Sequence, residues 1–254
     1  NNVPKITQVV DKLLAIFPQE AKYFRDKNLD VTWVGHPLLD RLEQAPDRSQ
    51  ARQNLDIQPE EKIVTLLPAS RQQEIKYLLP VMCQAAQQIA RTLPEVKFII
   101  PVSLPGYREA IEAAVNEYNL PAIILDGKET LEAIAAADLA ISKSGTVNLE
   151  VALLNVPQVV IYRINPITAW IGRKLGFSVP LMSPPNLIVE QKIVPEFQQE
   201  EVTAENISTE ALEILNSDER KEQIIADYQK MRSLLGEVGV CDRTATEIID
   251  LALG

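Results

Sequence analysis

The segment Ala140-Ile-Ser-Lys-Ser-Gly-Thr-Val-Asn-Leu-Glu150 places small polar residues between two apolar runs. A strand is predicted to end at Ile141, a turn to occupy Ser142 to Gly145, and an apolar helix to follow. Where a strand stops and a helix starts, backbone N–H groups lie outside any hydrogen-bond ladder, which suits a phosphate. Glu150 stands four residues past Thr146, about 6 Å along a helix axis. A carboxylate there can accept hydrogen bonds from a ribose while the turn holds attached phosphates. The pattern points to a nucleotide with a sugar beside its phosphates. The plain alternative is a cap: Ser and Thr are ordinary N-cap residues, and a Glu near a helix start favours the dipole.

Other residues join this one through the elements that carry them. Strands alternate with helices: strands at 63–67, 96–102, 122–125, 138–142 and 157–162, with helices at 72–92, 105–118, 129–136 and 146–154. That alternation implies βαβ units and a Rossmann-like parallel sheet with helices on both faces, an α/β fold. Ligands of such sheets bind beyond the carboxyl ends of the strands. Three polar sequences fall there: Pro68-Ala-Ser-Arg71, Ser142–Thr146 and Arg163-Ile-Asn165. Arg71 can fork onto a diphosphate; alternatively Ser70 caps the helix, with Glu74 completing a capping box, and Arg71 is solvated. Asn186 follows Ser183-Pro-Pro and either presents an amide to a ligand or occupies a turn before a strand. Glu196 is a loop carboxylate near the same rim. His36, in Gly35-His36-Pro37, is read as structural or as a hinge, because a residue before proline is held extended.

At the ends of the chain, residues 9–17, 19–28 and 31–35 form short elements, and helices are predicted at 47–55, 166–175, 204–216, 217–235 and 242–253. Trp170, Ile171, Arg173 and Lys174 form an amphipathic cluster, suited either to a membrane surface or to a buried helix with a basic end.

Composition narrows the classes. A net charge of −10 over 254 residues opposes a general nucleic-acid surface. Cys83 and Cys241 lack metal-type spacing and fit a reducing compartment without a disulfide framework. The lone His36 excludes a multi-histidine metal site. No apolar run approaches the roughly 20 residues that span a bilayer, and no signal peptide is apparent. The absence of G-x-G-x-x-G after the first strand opposes a dinucleotide dehydrogenase. Because Asn1 is not an initiator Met, the chain is expected to be a fragment of a longer protein.

Six stretches then occur in order: Val31-Thr-Trp-Val-Gly-His-Pro-Leu-Leu-Asp40, Leu67-Pro-Ala-Ser-Arg71 with Glu74-Ile-Lys76, Ser144-Gly-Thr-Val-Asn-Leu-Glu150, Tyr162-Arg-Ile-Asn-Pro-Ile-Thr-Ala-Trp170, Pro185-Asn-Leu187 and Val194-Pro-Glu-Phe197. Over about residues 5–250 the chain resembles the lipid-A-disaccharide synthase family, glycosyltransferases of the GT-B architecture. It departs from the family pattern at Ala69, usually Gly, at Lys143, usually small, and at Asn148, commonly Thr.

The resemblance implies the C-terminal half of a GT-B fold. Residues 1–40 would be a remnant of the N-terminal domain and the crossover, 41–241 the nucleotide-sugar domain, and 242–254 a helix that packs on the N-terminal domain. It implies transfer of an acylated glucosamine from a UDP donor to an acylated glucosamine carrying a phosphate, with no metal or other cofactor. Ser70, Arg71, Ser144, Gly145 and Thr146 would face the diphosphate, Glu150 the ribose, and Asn186 would help close the site, with Glu196 nearby. The general base would lie in the absent N-terminal part, so the isolated chain is expected to bind donor without turnover. Apolar surface at 5–17 and 244–253 predicts self-association. A cytoplasmic protein touching the inner membrane surface is the expected setting. Rival readings are another enzyme using UDP-GlcNAc, such as an epimerase or a lipid-linked sugar transferase, and a non-catalytic nucleotide-binding module.

Overall fold

The computed structural model describes residues 3–68, 71–164 and 180–253. Ser70, the expected helix 166–175, the Trp170–Lys174 cluster and the 165–170 part of the Tyr162–Trp170 stretch lie outside these residues. In chain order the elements begin with α1 (Val3–Val9), β1 (Leu13–Ala15), α2 (Pro18–Arg25), β2 (Val31–Trp33) and α3 (Leu38–Leu42). Next come α4 (Arg48–Asn54), β3 (Ile63–Leu67), α5 (Gln72–Thr92), β4 (Lys97–Val102), α6 (Arg108–Glu117) and β5 (Ala122–Asp126). They continue with α7 (Thr130–Ala135), β6 (Leu139–Lys143), α8 (Val147–Leu153) and β7 (Gln158–Tyr162). The last are α9 (Pro184–Val189), β8 (Glu196–Gln198), α10 (Ala204–Asn216), α11 (Asp218–Leu235) and α12 (Val240–Leu253).

Two compact units emerge, one from Asn1–Gln44 with Gln229–Gly254 and the other from Ala45–Tyr228. The boundaries therefore fall near 44 and 228, against the expected 40 and 241. The second shift has a physical cause. The end of α11 belongs to the first unit, because the His36 N–H donates to the Leu235 carbonyl at 2.9 Å.

The larger unit is a six-stranded sheet in the order β5-β4-β3-β6-β7-β8, with every pairing parallel. The predicted α/β fold is thus observed. Its strands are buried on both faces because both are covered. Ile63, Leu67, Ile99 and Ala140 pack with Ala51 of α4, the alanines of α7 and Val151 of α8. Val64 and Leu66 alternate to the other face and are fully buried. α5 turns Leu78, Met82, Ala85, Ala86 and Ile89 inward.

A cluster of charge closes the amino end of this sheet. Asp138, just before β6, accepts from the first N–H of β3, Ile63, at 2.8 Å and from Arg52 Nη2 at 3.0 Å. Arg52 is buried, and it also donates to the carbonyls of Ala136, Gln58, Pro59 and Glu61. Those bonds use all five guanidinium donors.

In the smaller unit β1 and β2 pair in parallel. Gly35 follows with φ +94°, and a Cβ there would stand 3.1 Å from the Leu235 carbonyl oxygen; glycine meets both demands. His36 is buried, its Nδ1 accepts from the Leu38 N–H at 3.2 Å, and burial lowers its pKa. The reading of His36 as structural agrees with these contacts. Arg243 reaches back with Nε and Nη2 to the Val34 carbonyl at 3.1 and 3.0 Å. Ile248, Ile249, Leu251 and Leu253 on α12 are exposed.

Asp40 caps α12 from a distance in sequence. Its carboxylate accepts from the N–H groups of Gly239, Val240 and Cys241 at 2.6, 3.0 and 2.7 Å. These bonds, Cys241's foremost, pull the Asp40 pKa down to about 2. A depressed carboxyl pKa stabilises the fold above the unfolded value near 3.8 and stops doing so as pH falls through about 2. Asp40→Ala is expected to cost about 1–2 kcal/mol at pH 7, as lost caps do. In urea unfolding the gap between wild type and variant should narrow from pH 5 to pH 2. A gap independent of pH would show that the charge is not what caps α12.

Candidate functional site

Within the larger unit the sheet reverses its winding between β3 and β6, with β4 and β5 on one side and β7 and β8 on the other. A crevice at the carboxyl ends of strands is expected at such a switch point, and one is present. It has a volume of about 300 Å³, and Leu67, Pro68, Ser103, Thr130, Lys143 and Thr146 are among its lining residues. Among the described lining residues, Lys143 carries the one charge.

The turn beside this crevice is fixed from below. Asn148 is fully buried in α8. Its Oδ1 accepts from the Gly145 N–H at 2.7 Å, and its Nδ2 donates to Ser142 Oγ at 2.7 Å and Gln158 Oε1 at 3.1 Å. Gln158 Nε2 donates in turn to the Asn148 carbonyl at 3.0 Å and to the Tyr228 hydroxyl at 3.2 Å. Burial raises the pKa of Tyr228, so the hydroxyl stays neutral. One side-chain network therefore links the end of β6, the 142–145 turn, α8, β7 and α11.

The predicted residues fall into two groups. Thr146 lines the crevice. Ser144 and Gly145 form the turn next to it, with Ser144 Oγ donating to the Met182 carbonyl at 2.8 Å. Arg71 is exposed at the start of α5, and its N–H donates to Glu74 Oε2 at 3.0 Å; this is the carboxylate half of the expected capping box, with Arg71 at the N-cap. Glu150 sits in α8 and is 7% exposed. It is not among the crevice-lining residues.

Asn186 and Glu196 hold the 182–196 segment together. Asn186 is fully buried; its Nδ2 donates to the Val194 carbonyl and to Glu196 Oε2, each at 3.0 Å. Its Oδ1 accepts from the N–H groups of Ile193 and Val194 at 2.8 and 2.9 Å. Two donors and two acceptor positions exhaust an asparagine amide. Glu196 accepts from the N–H groups of Met182 and Ser183, both at 2.9 Å. The strand considered after Asn186 is instead helix α9, because Pro184 and Pro185 occupy its first turn, where a missing N–H costs nothing. Glu190 ends α9 in the left-handed region at φ 57°. Ser144, through Met182, joins this segment to the turn.

Sequence reasoning passed over Asn148, Gln158 and Tyr228 as a group. The signal was present: an Asn within Val147–Leu153 and a Gln heading the apolar run 158–161 are polar residues in buried elements, and such residues need partners.

Comparison with known proteins adds kinship. Residues 1–249 match the family model described as lipid-A-disaccharide synthetase. A lipid-A-disaccharide synthase from Gloeothece citriformis is 57% identical over 246 residues, covering 96% of this chain and 64% of the relative. One from Synechocystis is 54% identical, covering 98% of this chain and 64% of the relative. The chain thus spans about 64% of the length of these curated relatives. A UDP-GlcNAc 2-epimerase from Neisseria meningitidis, solved bound to UDP-GlcNAc, superposes with a TM-score of 0.62 at 14% identity, covering 96% of this chain and 62% of the other. At that identity the likeness is one of fold.

The network under the turn makes a stability prediction. Asn148→Ala should cost about 2–4 kcal/mol, since it strands the part-buried Gly145 N–H and takes one partner each from Ser142 Oγ and Gln158 Oε1. Tyr228→Phe should cost about 1 kcal/mol. Denaturant unfolding monitored by circular dichroism measures both. An Asn148→Ala chain within about 0.5 kcal/mol of wild type would mean the turn stands without the amide.

Proposed function

We propose, because this chain belongs to the lipid-A-disaccharide synthetase family, that its larger unit binds the UDP moiety of a UDP-linked acylated glucosamine. The protein of which that unit forms the donor side transfers the acylated glucosamine to a second one bearing a phosphate. UDP leaves. The observation that carries this reading is the crevice at the β3–β6 switch point, with Thr146 and Lys143 on its wall and the Ser144–Gly145 turn beside it.

The roles divide by position. Thr146 and the preceding turn meet the diphosphate, with Arg71 approaching from the start of α5; Ser70 is assigned to the same group from the sequence alone. Glu150, 7% exposed in α8, accepts from the ribose hydroxyls. Asn186 and Glu196 act at one remove: they fix the 182–196 segment, which reaches the turn through Met182 and Ser144. The transfer uses no metal or other cofactor, and the charge that develops on UDP is met by side chains and backbone dipoles. The general base and the acceptor site belong to a further domain, so this chain binds donor without turnover.

No helix among the described residues is long and apolar enough to cross a membrane. We place the protein in the cytoplasm, meeting its lipid acceptor at the inner membrane surface. The exposed apolar side of α12 then takes part in self-association. An epimerase reading rests on likeness of fold at 14% identity, against 57% for a lipid-A-disaccharide synthase.

Calorimetric titration tests the donor reading. The chain should bind UDP in preference to AMP and NAD. It should also prefer UDP to 2′-deoxy-UDP, and Glu150→Gln should abolish that second preference while lowering UDP affinity about tenfold. A well-folded chain that binds UDP no better than AMP would sink the reading. A Glu150→Gln chain that still prefers UDP to its deoxy analogue would remove Glu150 from the ribose.

A further inference from the structure

We infer that Lys143 is a diphosphate-binding cation, held by Glu74 in the unliganded chain and released to the ligand; this rests on the UDP-donor reading above. Three observations converge on it. First, Lys143 is the last residue of β6, on the wall of the switch-point crevice, beside Thr146. Second, its side chain lies back over the turn: a Cβ placed on Gly145 would stand 2.6 Å from Lys143 Nζ. The ammonium therefore occupies the place where an anion seated on the Ser144–Thr146 turn would need a counter-charge. Gly145 leaves room for it there. Third, its ion-pair partner is Glu74 Oε1 at 3.7 Å, with the two side chains only 15% and 18% exposed.

That distance is long for a hydrogen-bonded ion pair, which closes to about 2.7–2.9 Å. Phosphate oxygens entering the crevice can come closer to the ammonium than that carboxylate does. Glu74 also accepts from the Arg71 N–H through its other oxygen, Oε2. One carboxylate thus ties the start of α5 to the end of β6, the two segments that flank the β3–β6 gap. In a chain of net charge −10, an anionic ligand is repelled at long range, and a local cation must compensate. Lys143 supplies that charge as a point charge on a flexible stem. Glu74 helps to hold it on the crevice wall. Entry of the diphosphate is then an exchange of one anion for another at the same ammonium, and Glu74 is the competitor the ligand displaces.

The test compares UDP with uridine on the 254-residue chain, in wild type, Lys143→Met, Lys143→Arg and Glu74→Gln, by calorimetry. Glutamine at 74 keeps an acceptor for the Arg71 N–H but loses the charge. Lys143→Met should weaken UDP about tenfold or more and leave uridine unchanged. Lys143→Arg should restore part of the loss. Glu74→Gln should tighten UDP severalfold, again without changing uridine. The salt dependence of UDP binding should flatten in Lys143→Met, because one charge contact is gone. An unchanged ratio of UDP to uridine affinity in Lys143→Met would overturn the inference and leave the donor reading standing. Equal losses for UDP and uridine would overturn it too, by showing a merely structural lysine. Wild-type chain that binds neither ligand would overturn the donor reading and this inference together.

Discussion

A carboxamide sealed from water sets the geometry of this fold's carboxyl rim. Once Asn148 is buried, its donors and acceptor must be met by protein, since an unmet buried amide costs as much as a lost hydrogen bond. The groups that meet them come from four places: the Gly145 N–H, Ser142 Oγ, the Lys143 carbonyl and Gln158 Oε1. Any movement of the turn relative to β7 breaks several bonds at once. Gln158 then extends the constraint to Tyr228, so the turn inherits the rigidity of a helix that is distant in sequence. A preorganised turn is what an anion site requires, because donors that need no rearrangement lose least when the ligand arrives.

The two ends of the sheet use charge in opposite ways. At the amino end Arg52 has every donor bonded, and Asp138 binds two arginines and a backbone amide. Those bonds hold backbone in place, and replacing Asp138 would leave the buried Arg52 guanidinium short of its carboxylate partner. At the carboxyl end Lys143 and Glu74 stand apart at 3.7 Å, in a crevice with room for a guest. The same chemistry, a cation facing a carboxylate, ties backbone together at one end of the sheet and lines a crevice at the other. Position is what separates Arg52 from Lys143, and residue type alone does not show it.

This explains what could be read from the chain before its structure. The β–α alternation was legible because buried parallel strands are continuous apolar runs: Ile63–Leu67 and Gln158–Tyr162 were located to within a residue or so, and α5 at its observed limits. The rim was legible as a place, because polar turns followed strands. The direction of each polar side chain was not. Asn186 follows two prolines in what looked like a loop, and a loop amide can point to solvent, to a ligand or inward; the structure has it inward, bonded four times. Glu196 shares that fate for the same reason. Lys143 was visible only as a departure from the family pattern, because a lysine's reach depends on where its stem is laid, here over Gly145.

The cap that Asp40 places on α12 spans 199 residues of sequence. The smaller unit is therefore built from the two ends of the chain, and its decisive contacts have the longest separations available. Contacts of that separation are slow to close in any chain, because the intervening loop must first be gathered in. During synthesis the consequence is sharper. The larger unit, Ala45–Tyr228, can collapse before the cap is made, whereas His36 and Asp40 gain their partners only once Leu235 and residues 239–241 have been synthesised. In that interval a nascent chain is open to aggregation and chaperone capture at the segment around His36 and Asp40, and the cap ends the exposure.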